Sequence, residues 1–579
     1  MPPERPTVSL TCFPDEDLMA WRGEIVPRKV YARVELPAGA AQGCEALRLF
    51  VRVRPASKLG VKEEPFTDAT KGDIHDPQLD DPAENYRMDL VRGYSPLEGG
   101  RPVPGPGWFE VFDLQREGVR EDVEVEAHLF WNTGKWCGDR RVTVRRCSHP
   151  ARLISRFPIG EARGLIAVGD LDRDGQMDFV VTAGAARQAA YRPDGAVLWD
   201  HHDPGATRIN AHNTLVPICD IDGDGANEVV AVRREGDAYF ICVLDGRTGA
   251  VKRRAPLPEP VRAYDDPPII NIQIANLRGL ERPSDIVFSH HYSDIMAFDE
   301  KLNVLWQMDT WADEGRSVGC KPPRDGAEAR FPYGFGHTPA IADLDGDGHD
   351  EVIAGACLID HDGRFVWNRK DLPRINYDHN DSVAIADLER DGRLSVLLST
   401  GLWCLDPQGN VRWGFAHTVC HGQHVWVEPI IPDSPRLQIV LVDWRCYVGL
   451  QPPHVVYLID GDGAVLWHRI SGWAIPLYWS ACGHQDIWLK PEGMTGAGEI
   501  VNHKGEFLAY VPTGAMEAVR PFIRRPEQSG KATDTVVTTV TREGKPYMEF
   551  YECSVPPERL SPGGIPRQYH ADDRRYSLY

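Results

Sequence analysis

ADLDGDGHDEVIAG, residues 342–355, places acidic side chains at alternating loop positions, turns on a glycine and runs straight into an apolar strand. The phrase returns as VGDLDRDGQMDFVV (168–181), CDIDGDGANEVVAV (219–232) and ADLERDGRLSVLLS (386–399). Fainter copies keep the apolar rhythm at ANLRGLERPSDIVF (275–288), IPDSPRLQIVLV (431–442), KPEGMTGAGEIV (490–501) and RRPEQSGKATDTVV (524–537). A second phrase lies between copies and ends on an aromatic: DGAVLW (194–199), NVLW (303–306), DGRFVW (362–367), GNVRW (409–413) and DGAVLW (462–467). Each unit reads as strand, acidic loop, two strands, a Gly-containing turn and a last strand ending in Trp. Four short strands repeated every roughly 40–50 residues describe a propeller blade, whereas a parallel β-helix has a shorter period. The expectation is an all-β chain with an eight-bladed β-propeller over 151–579, seven blades being the alternative count because the last copy is weak. The recurrent Trp is expected to wedge between blades.

Residues 1–150 carry no repeat but show strand-like runs at Thr7–Phe13, Lys29–Leu36, Leu47–Val53, Trp108–Leu114, Asp122–Trp131 and Arg141–Arg146. The alternation in DVEVEAH (122–128) suits a sheet with one wet face. Residues 55–107 are rich in Pro, Asp and Gly, and a loop that long is often functional. This region reads as an N-terminal β-sandwich-like domain with one long excursion.

Bulk properties bound the function. The chain has 579 residues, 42% hydrophobic and 26% charged, which is too long for one ordinary core. A formal charge of −21 argues against nucleic acid, which needs a basic face. No run of 18 apolar residues exists, so a membrane partner is not expected. Thirteen cysteines occur without a CxxC pair; Cys219, Cys242 and Cys404 fall in apparent strands, where a thiol behaves as a small hydrophobe. The start, MPPERPTVSL, lacks signal-peptide character. Localisation therefore leans to the cytoplasm, with secretion the alternative if a leader has been removed.

The loops carry the first chemistry. Asp220, Asp222, Asp224 and Glu228 occupy positions 1, 3, 5 and 9 of a loop with Gly at position 6. Calcium takes six to eight hard oxygens, and alternating side chains on a tight loop converge on such an ion. Asp170, Asp172, Asp174 and Asp178 match, as do Asp343, Asp345, Asp347 and Glu351. Asp387, Glu389 and Asp391 form a weaker fourth set, ending on Ser395. A polar turn without an ion is the bland alternative. Several structural calcium ions are expected, on loops taken to join outer strands away from the axis.

These repeats resemble the calcium-binding FG-GAP-type blades of integrin-like propellers. A β-domain followed by eight such blades is similar to the rhamnogalacturonan lyases of the bacterial eight-bladed family. The resemblance covers most of 151–579 and implies a polysaccharide lyase cutting rhamnose–uronate glycans. Its specific motifs are the acidic loops alone, which non-enzymatic propellers share, and no segment matches a catalytic motif residue by residue.

A second constellation comes from the segments that precede each innermost strand. Reading back from the acidic loops, histidine recurs at His212-Asn213, His337-Thr338, His379-Asn380-Asp381, His421 with His424, and His484-Gln485-Asp486. With 20 histidines in the whole chain, this points to a ring at one mouth of the channel. Singly, each would merely bond the neighbouring blade's backbone. Trp444, Arg445, Tyr447, Trp473, Tyr478 and Trp479 add stacking faces and a carboxylate partner. β-Elimination at a uronate needs a neutralised carboxylate, a base and a proton for the leaving oxygen. His379, His421 and His424 are the expected acid/base set and Arg445 the neutraliser, with Tyr447 or Tyr478 as proton donor. His212, Asn213, His337, Asn380, His484, Trp444, Tyr478 and Trp479 would hold an acidic polysaccharide or oligosaccharide. Glycoside hydrolysis by Asp381 and Asp486, a metal site on three histidines, and a non-catalytic propeller binding a glycan or protein are the competing readings.

Overall fold

The computed structural model describes the backbone of the strands within residues 1–146 and most of residues 147–555. Outside the description lie 161–165, 183–185, 206–215, 258–269, 291–293, 310–337, 374–379, 446–453, 491–496, 513–518, 523–532, a few shorter gaps and 556–579. The chain forms two units, one of residues 1–152 with 507–511, the other of 153–506 with 512–579. Among the described residues there is no helix long and apolar enough to cross a membrane.

The first unit holds two larger antiparallel sheets. Lys29–Leu36 pairs with Thr7–Thr11 on one side and Gly105–Asp113 on the other. The second sheet runs Lys135–Val144, Val123–Trp131, Leu47–Pro55, Asn85–Arg87. Its register sets Glu126 opposite both Arg52 and Arg141, and Glu124 opposite Arg54. Within 55–107 the described elements are Asn85–Arg87, Leu97–Glu98, Arg101–Pro102 and the start of Gly105–Asp113.

The second unit is a propeller of eight blades in a ring. Blade 1 shows the pattern: Ile166–Gly169, Asp178–Thr182, Arg187–Tyr191 and Val197–His202, each antiparallel to the next. The first strand is innermost, for the first strands of blades 4, 5, 6 and 7 (Ala340–Ala342, Val383–Ala386, Gly422–Glu428, Trp473–Leu477) neighbour one another in turn. The fourth strand faces outward, with Val197 58% exposed. The acidic loops therefore join the innermost strand to the second, which corrects the expectation that they join outer strands. First strands begin on one face of the disc, here called the upper face, and the acidic loops gather on the lower one.

Three of the fainter copies fall where a blade loop falls. KPEGMTGAGEIV does not: residues 490–501 run between the second and third strands of blade 7, Asp486–Lys490 and Ala497–Val501. The true equivalent is the chain from Leu477 to Asp486, which keeps the acid at position 9 but has lost those at positions 1, 3 and 5. The apolar rhythm survives there because burial demands it, while the loop's chemistry is unconstrained by packing.

The ring closes by pairing the two ends of the repeat. Blade 8 takes Val519–Phe522, Thr535–Arg542 and Lys545–Cys553 from the C-terminal side and Ala151–Pro158 as its outer strand. Ile159 N donates to Pro546 O at 3.1 Å, and Arg156 Nε meets the buried Glu549 at 2.7 Å. At the seam Phe179 packs edge-on against Phe550 (4.9 Å) and Phe522 (5.1 Å), and Phe157 lies 5.6 Å from Phe550. Phe179 is fully buried, so Phe179→Ala should cost about 3–5 kcal/mol and open the closure first. Thermal unfolding checks this, and a loss under about 1 kcal/mol would mean the seam does not hold the ring.

The Trp of the last strand ties blades together, as the sequence suggests. Trp199 Nε1 donates to Gly246 O of blade 2 (2.7 Å), Trp306 to His361 O (2.8 Å), Trp367 to Pro407 O (2.9 Å) and Trp467 to His503 O (2.8 Å). Each indole crosses to the next blade's outer turn. The turn glycine accepts it: Gly363 has φ +85°, and a Cβ there would sit 2.8 Å from Trp306. Both the conformation and the close approach exclude a side chain.

Candidate functional site

On the upper face, blades 5, 6 and 7 bring together groups far apart in sequence. Asp381, just before the first strand of blade 5, is fully buried, and its Oδ2 lies 2.9 Å from His421 Nε2 of blade 6. Asp443 closes the second strand of blade 6. Its Oδ1 accepts from Cys420 N (3.1 Å) and His421 N (2.8 Å), while Trp444 N donates to His421 O (2.9 Å). The backbone of His421 is thus held on both sides and its ring is aimed across the blade boundary. The contact runs through Nε2, so Nδ1 is the ring nitrogen turned away from the carboxylate. Asn380 is buried as a support, its Oδ1 accepting from Thr400 N (2.9 Å). Arg445 interacts with the Cys420 thiol and the Asp443 carboxylate, which burial pushes above the usual carboxylate range.

His424 is different. It sits within the innermost strand, 3% exposed, its ring 4.2 Å from Trp426 and 5.8 Å from Trp473 of blade 7. Burial drives its pKa down to about 3, against a smaller pull upward from Asp381. It is neutral at ordinary pH and a weak base, so the expectation that it serves in the acid/base set does not fit its surroundings. Below the unfolded pKa of 6.5 the unfolded chain binds a proton that the fold refuses until about pH 3. His424 should therefore take stability away as pH falls through that window, at up to about 1.4 kcal/mol per pH unit. Comparing denaturation of the wild type and His424→Phe at pH 7 and pH 5 checks the sign; parallel losses in both would sink it.

Several predicted residues lie elsewhere. Tyr478 and Trp479 follow the first strand of blade 7, on the lower face, and are buried; Tyr478 N donates to Asp534 Oδ2 of blade 8 (2.8 Å). His484 and Asp486 belong to that same lower loop, Asp486 standing opposite Leu477 and accepting from Ser480 N (2.7 Å). The misplaced repeat at 490–501 is what moved them to the mouth on paper. Asp381 and Asp486 sit on opposite faces, so they cannot act as a hydrolytic pair. Trp444 does stand on the upper face, its indole donating to Gly472 O (3.0 Å) beside Trp473. His212, Asn213, His337, His379 and Tyr447 lie outside the described residues. Sequence reading missed Lys490, fully buried at the upper end of DIWLK; a lysine closing an apolar strand was the available signal.

The lower face carries the acidic loops. Position 1 is satisfied by backbone: Asp343 accepts from Gly346 N (2.7 Å) and Gly348 N (3.0 Å), and Asp220 from Gly223 N and Gly225 N likewise. Position 9 closes the loop by accepting the second residue's N–H, as Asp178 does from Leu171 (2.9 Å) and Glu351 from Leu344 (2.7 Å). The closure persists in blade 6 without an acid, where Gln438 accepts from Ile431 N (2.8 Å), and in blade 7 Asp486 makes a similar bond one residue on, from Ser480 N. It is a folding device independent of any ion. The loop carboxylates also converge in three sets, Asp170/Asp172/Asp178, Asp220/Asp222/Glu228 and Asp343/Asp345/Asp347, one oxygen of each lying within 4.8 Å of the others in its set. Asp172 Oδ1, Asp178 Oδ1, Asp222 Oδ1 and Glu351 Oε1 are buried without a hydrogen-bond partner, which suits a cation. Burial first, then the neighbouring acids, raise Asp178 and Glu351 to about 7. In blade 2 the Lys252 ammonium already stands among Asp222 (2.8 Å), Asp224 (3.1 Å) and Glu228 (2.8 Å). In blade 5 Ser395 ends the loop and accepts from Arg412 (2.8 Å), and Asp387, Glu389 and Asp391 are not among the converging sets.

No protein-family model matches the chain. Two curated relatives from Bacillus subtilis (strain 168) do: rhamnogalacturonan endolyase YesW, 26% identical over 38% of this chain, and rhamnogalacturonan exolyase YesX, 24% identical over 38%. The match spans 41% and 42% of their respective lengths, about two fifths. The crystal structure of the exotype rhamnogalacturonan lyase YesX superposes over 91% of this chain and 89% of its own, at 16% identity and a TM-score of 0.50. That likeness is one of fold.

Proposed function

We propose that this protein is a polysaccharide lyase that cleaves rhamnose–uronate glycans of the pectin class by β-elimination on the upper face of the propeller. The observation that carries the reading is the cross-blade pair of His421 and Asp381 at 2.9 Å, an imidazole oriented by a buried carboxylate on the face where loops converge. The sequence relationship to two rhamnogalacturonan lyases supports it. His421 Nδ1 takes the C5 proton, the electron pair forms the C4–C5 double bond, and the C4–O bond breaks. Arg445 or Lys490 offsets the uronate charge, which acidifies C5; Tyr447 is the proton donor to the leaving oxygen. Calcium held by the acidic loops of blades 1 and 4 is structural in this scheme, and the blade 2 loop, where Lys252 competes, binds it more weakly.

A second reading draws on the burial of the same groups. His421 and His424 are each 3% exposed, as expected of interface histidines in a non-catalytic propeller that binds a glycan or protein. The experiment that separates the two is ultraviolet absorbance of an unsaturated uronate product across rhamnogalacturonan, ulvan-type and gum-type substrates. Each is run in calcium and in chelator, with melting followed in parallel. A rise with any substrate establishes elimination. A flat trace across the panel by a folded, calcium-loaded protein overturns the lyase reading in favour of binding or hydrolysis.

A further inference from the structure

Blade 4 departs from its neighbours in one respect that the loops' oxygen chemistry does not use. His349 occupies position 7 of its acidic loop, where blades 1, 2 and 5 carry Gln176, Ala226 and Arg393. His361 occupies the turn between the third and fourth strands, where blades 5 and 6 carry Pro407 and Gly461. The fold stacks the two imidazoles face to face, ring centres 4.4 Å apart at 26°. Each ring is about one-third exposed, at 34% and 32% of its side chain.

Carboxylates surround the pair. Asp347 Oδ1 lies 3.2 Å from His349 Nδ1, and Asp360 Oδ1 lies 2.9 Å from His361 Nδ1. Asp347, His349 and His361 bring one ligand atom each within 4.8 Å of one another, and Glu351, Asp360 and His361 form a second such set. Glu351 is 2% exposed, and its Oε1 has no hydrogen-bond partner. The backbone is braced for this arrangement. His361 O is held by Trp306 Nε1 of blade 3 (2.8 Å), and His349 N by Asp347 Oδ1 (2.8 Å). Calcium takes oxygen donors; two imidazole nitrogens with carboxylates instead suit a borderline divalent transition ion such as zinc, cobalt or nickel.

We infer that His349 and His361, with Asp347 and the Glu351/Asp360 pair beside them, form a nitrogen-containing site for a divalent transition metal ion on the lower face of blade 4. This site is distinct from the all-oxygen set of Asp343, Asp345 and Asp347, although Asp347 borders both and Glu351 closes the same loop. Its ion would join the acidic loop to the outer turn of the same blade. The inference is independent of the lyase reading.

The test uses the full chain, stripped of metal and then titrated with Co2+ in excess calcium, read by visible absorption and calorimetry. The wild type should bind one equivalent of Co2+ that calcium does not displace, with the absorption of nitrogen-ligated cobalt. His349→Ala and His361→Ala should each weaken that equivalent about tenfold or more, while calcium content and melting in calcium stay near wild type. Should either variant fold poorly, His349→Gln or His361→Gln at a matched melting point replaces it. Identical Co2+ titration in wild type and both variants overturns the site, as does complete displacement of Co2+ by calcium.

Discussion

Replacing His421 with Ala should lower the rate of unsaturated uronate release by about 10³-fold, because the base that takes the C5 proton is gone. Asp381→Asn should cost about 10²–10³-fold through loss of the carboxylate that fixes the ring tautomer. A merely structural Asp381 would also reduce activity if the propeller loosened, so the pH profile decides. With Asp381 as the positioning residue, the asparagine variant keeps its melting point within a few degrees while the acidic limb of its rate profile, set by the His421 base, moves. His424→Gln should retain activity within about tenfold, since a histidine held near pKa 3 transfers no proton at neutral pH. If His421→Ala turns over as fast as the wild type, the upper-face pair is a blade clasp and the lyase centre lies elsewhere.

Removing calcium should have the largest effect on stability. At a free concentration one hundred times its dissociation constant an ion contributes about 2.7 kcal/mol per site, so two strong sites give roughly 5 kcal/mol. The melting point should fall on the order of 10 °C in chelator, and recover on adding calcium. Asp172→Asn and Glu351→Gln should each abolish about half of the chelator-sensitive part, because each relieves buried oxygens that lack any other partner. Asp222→Asn should change the chelator response little, since Lys252 already neutralises that loop. Equal melting curves in calcium and chelator, with no calcium found by elemental analysis, would leave the loops as ion-free turns closed only by their backbone bonds.

Much of the architecture was legible in the chain because a propeller repeats its physics. Each blade must bury an apolar first strand, turn sharply and present a Trp to the next, so the alternation, the glycines and the aromatics recur at fixed offsets. Gly175, Gly225, Gly348 and Gly392 all take positive φ at position 6 of their loops, which only the backbone freedom of glycine allows cheaply. Ring closure was hidden, because pairing Ala151–Pro158 with Lys545–Cys553 joins segments almost four hundred residues apart without a local motif.

What the amino-acid order determined by itself was the blade, its acidic loop and the set of carboxylates that converge there, each decided by residues within ten positions of one another. Tertiary structure alone decided which histidine meets a carboxylate. His421 and His424 look equivalent in sequence, yet one faces Asp381 across a blade boundary and the other is walled in by Trp426 and Trp473. It also moved Tyr478, Trp479 and His484 to the opposite face and drew Lys252 in among the acids of blade 2. The reason is that a side chain's partner and dielectric are set by the neighbouring blade, and beyond the recurrent Trp no local pattern records which side chains meet across a blade boundary.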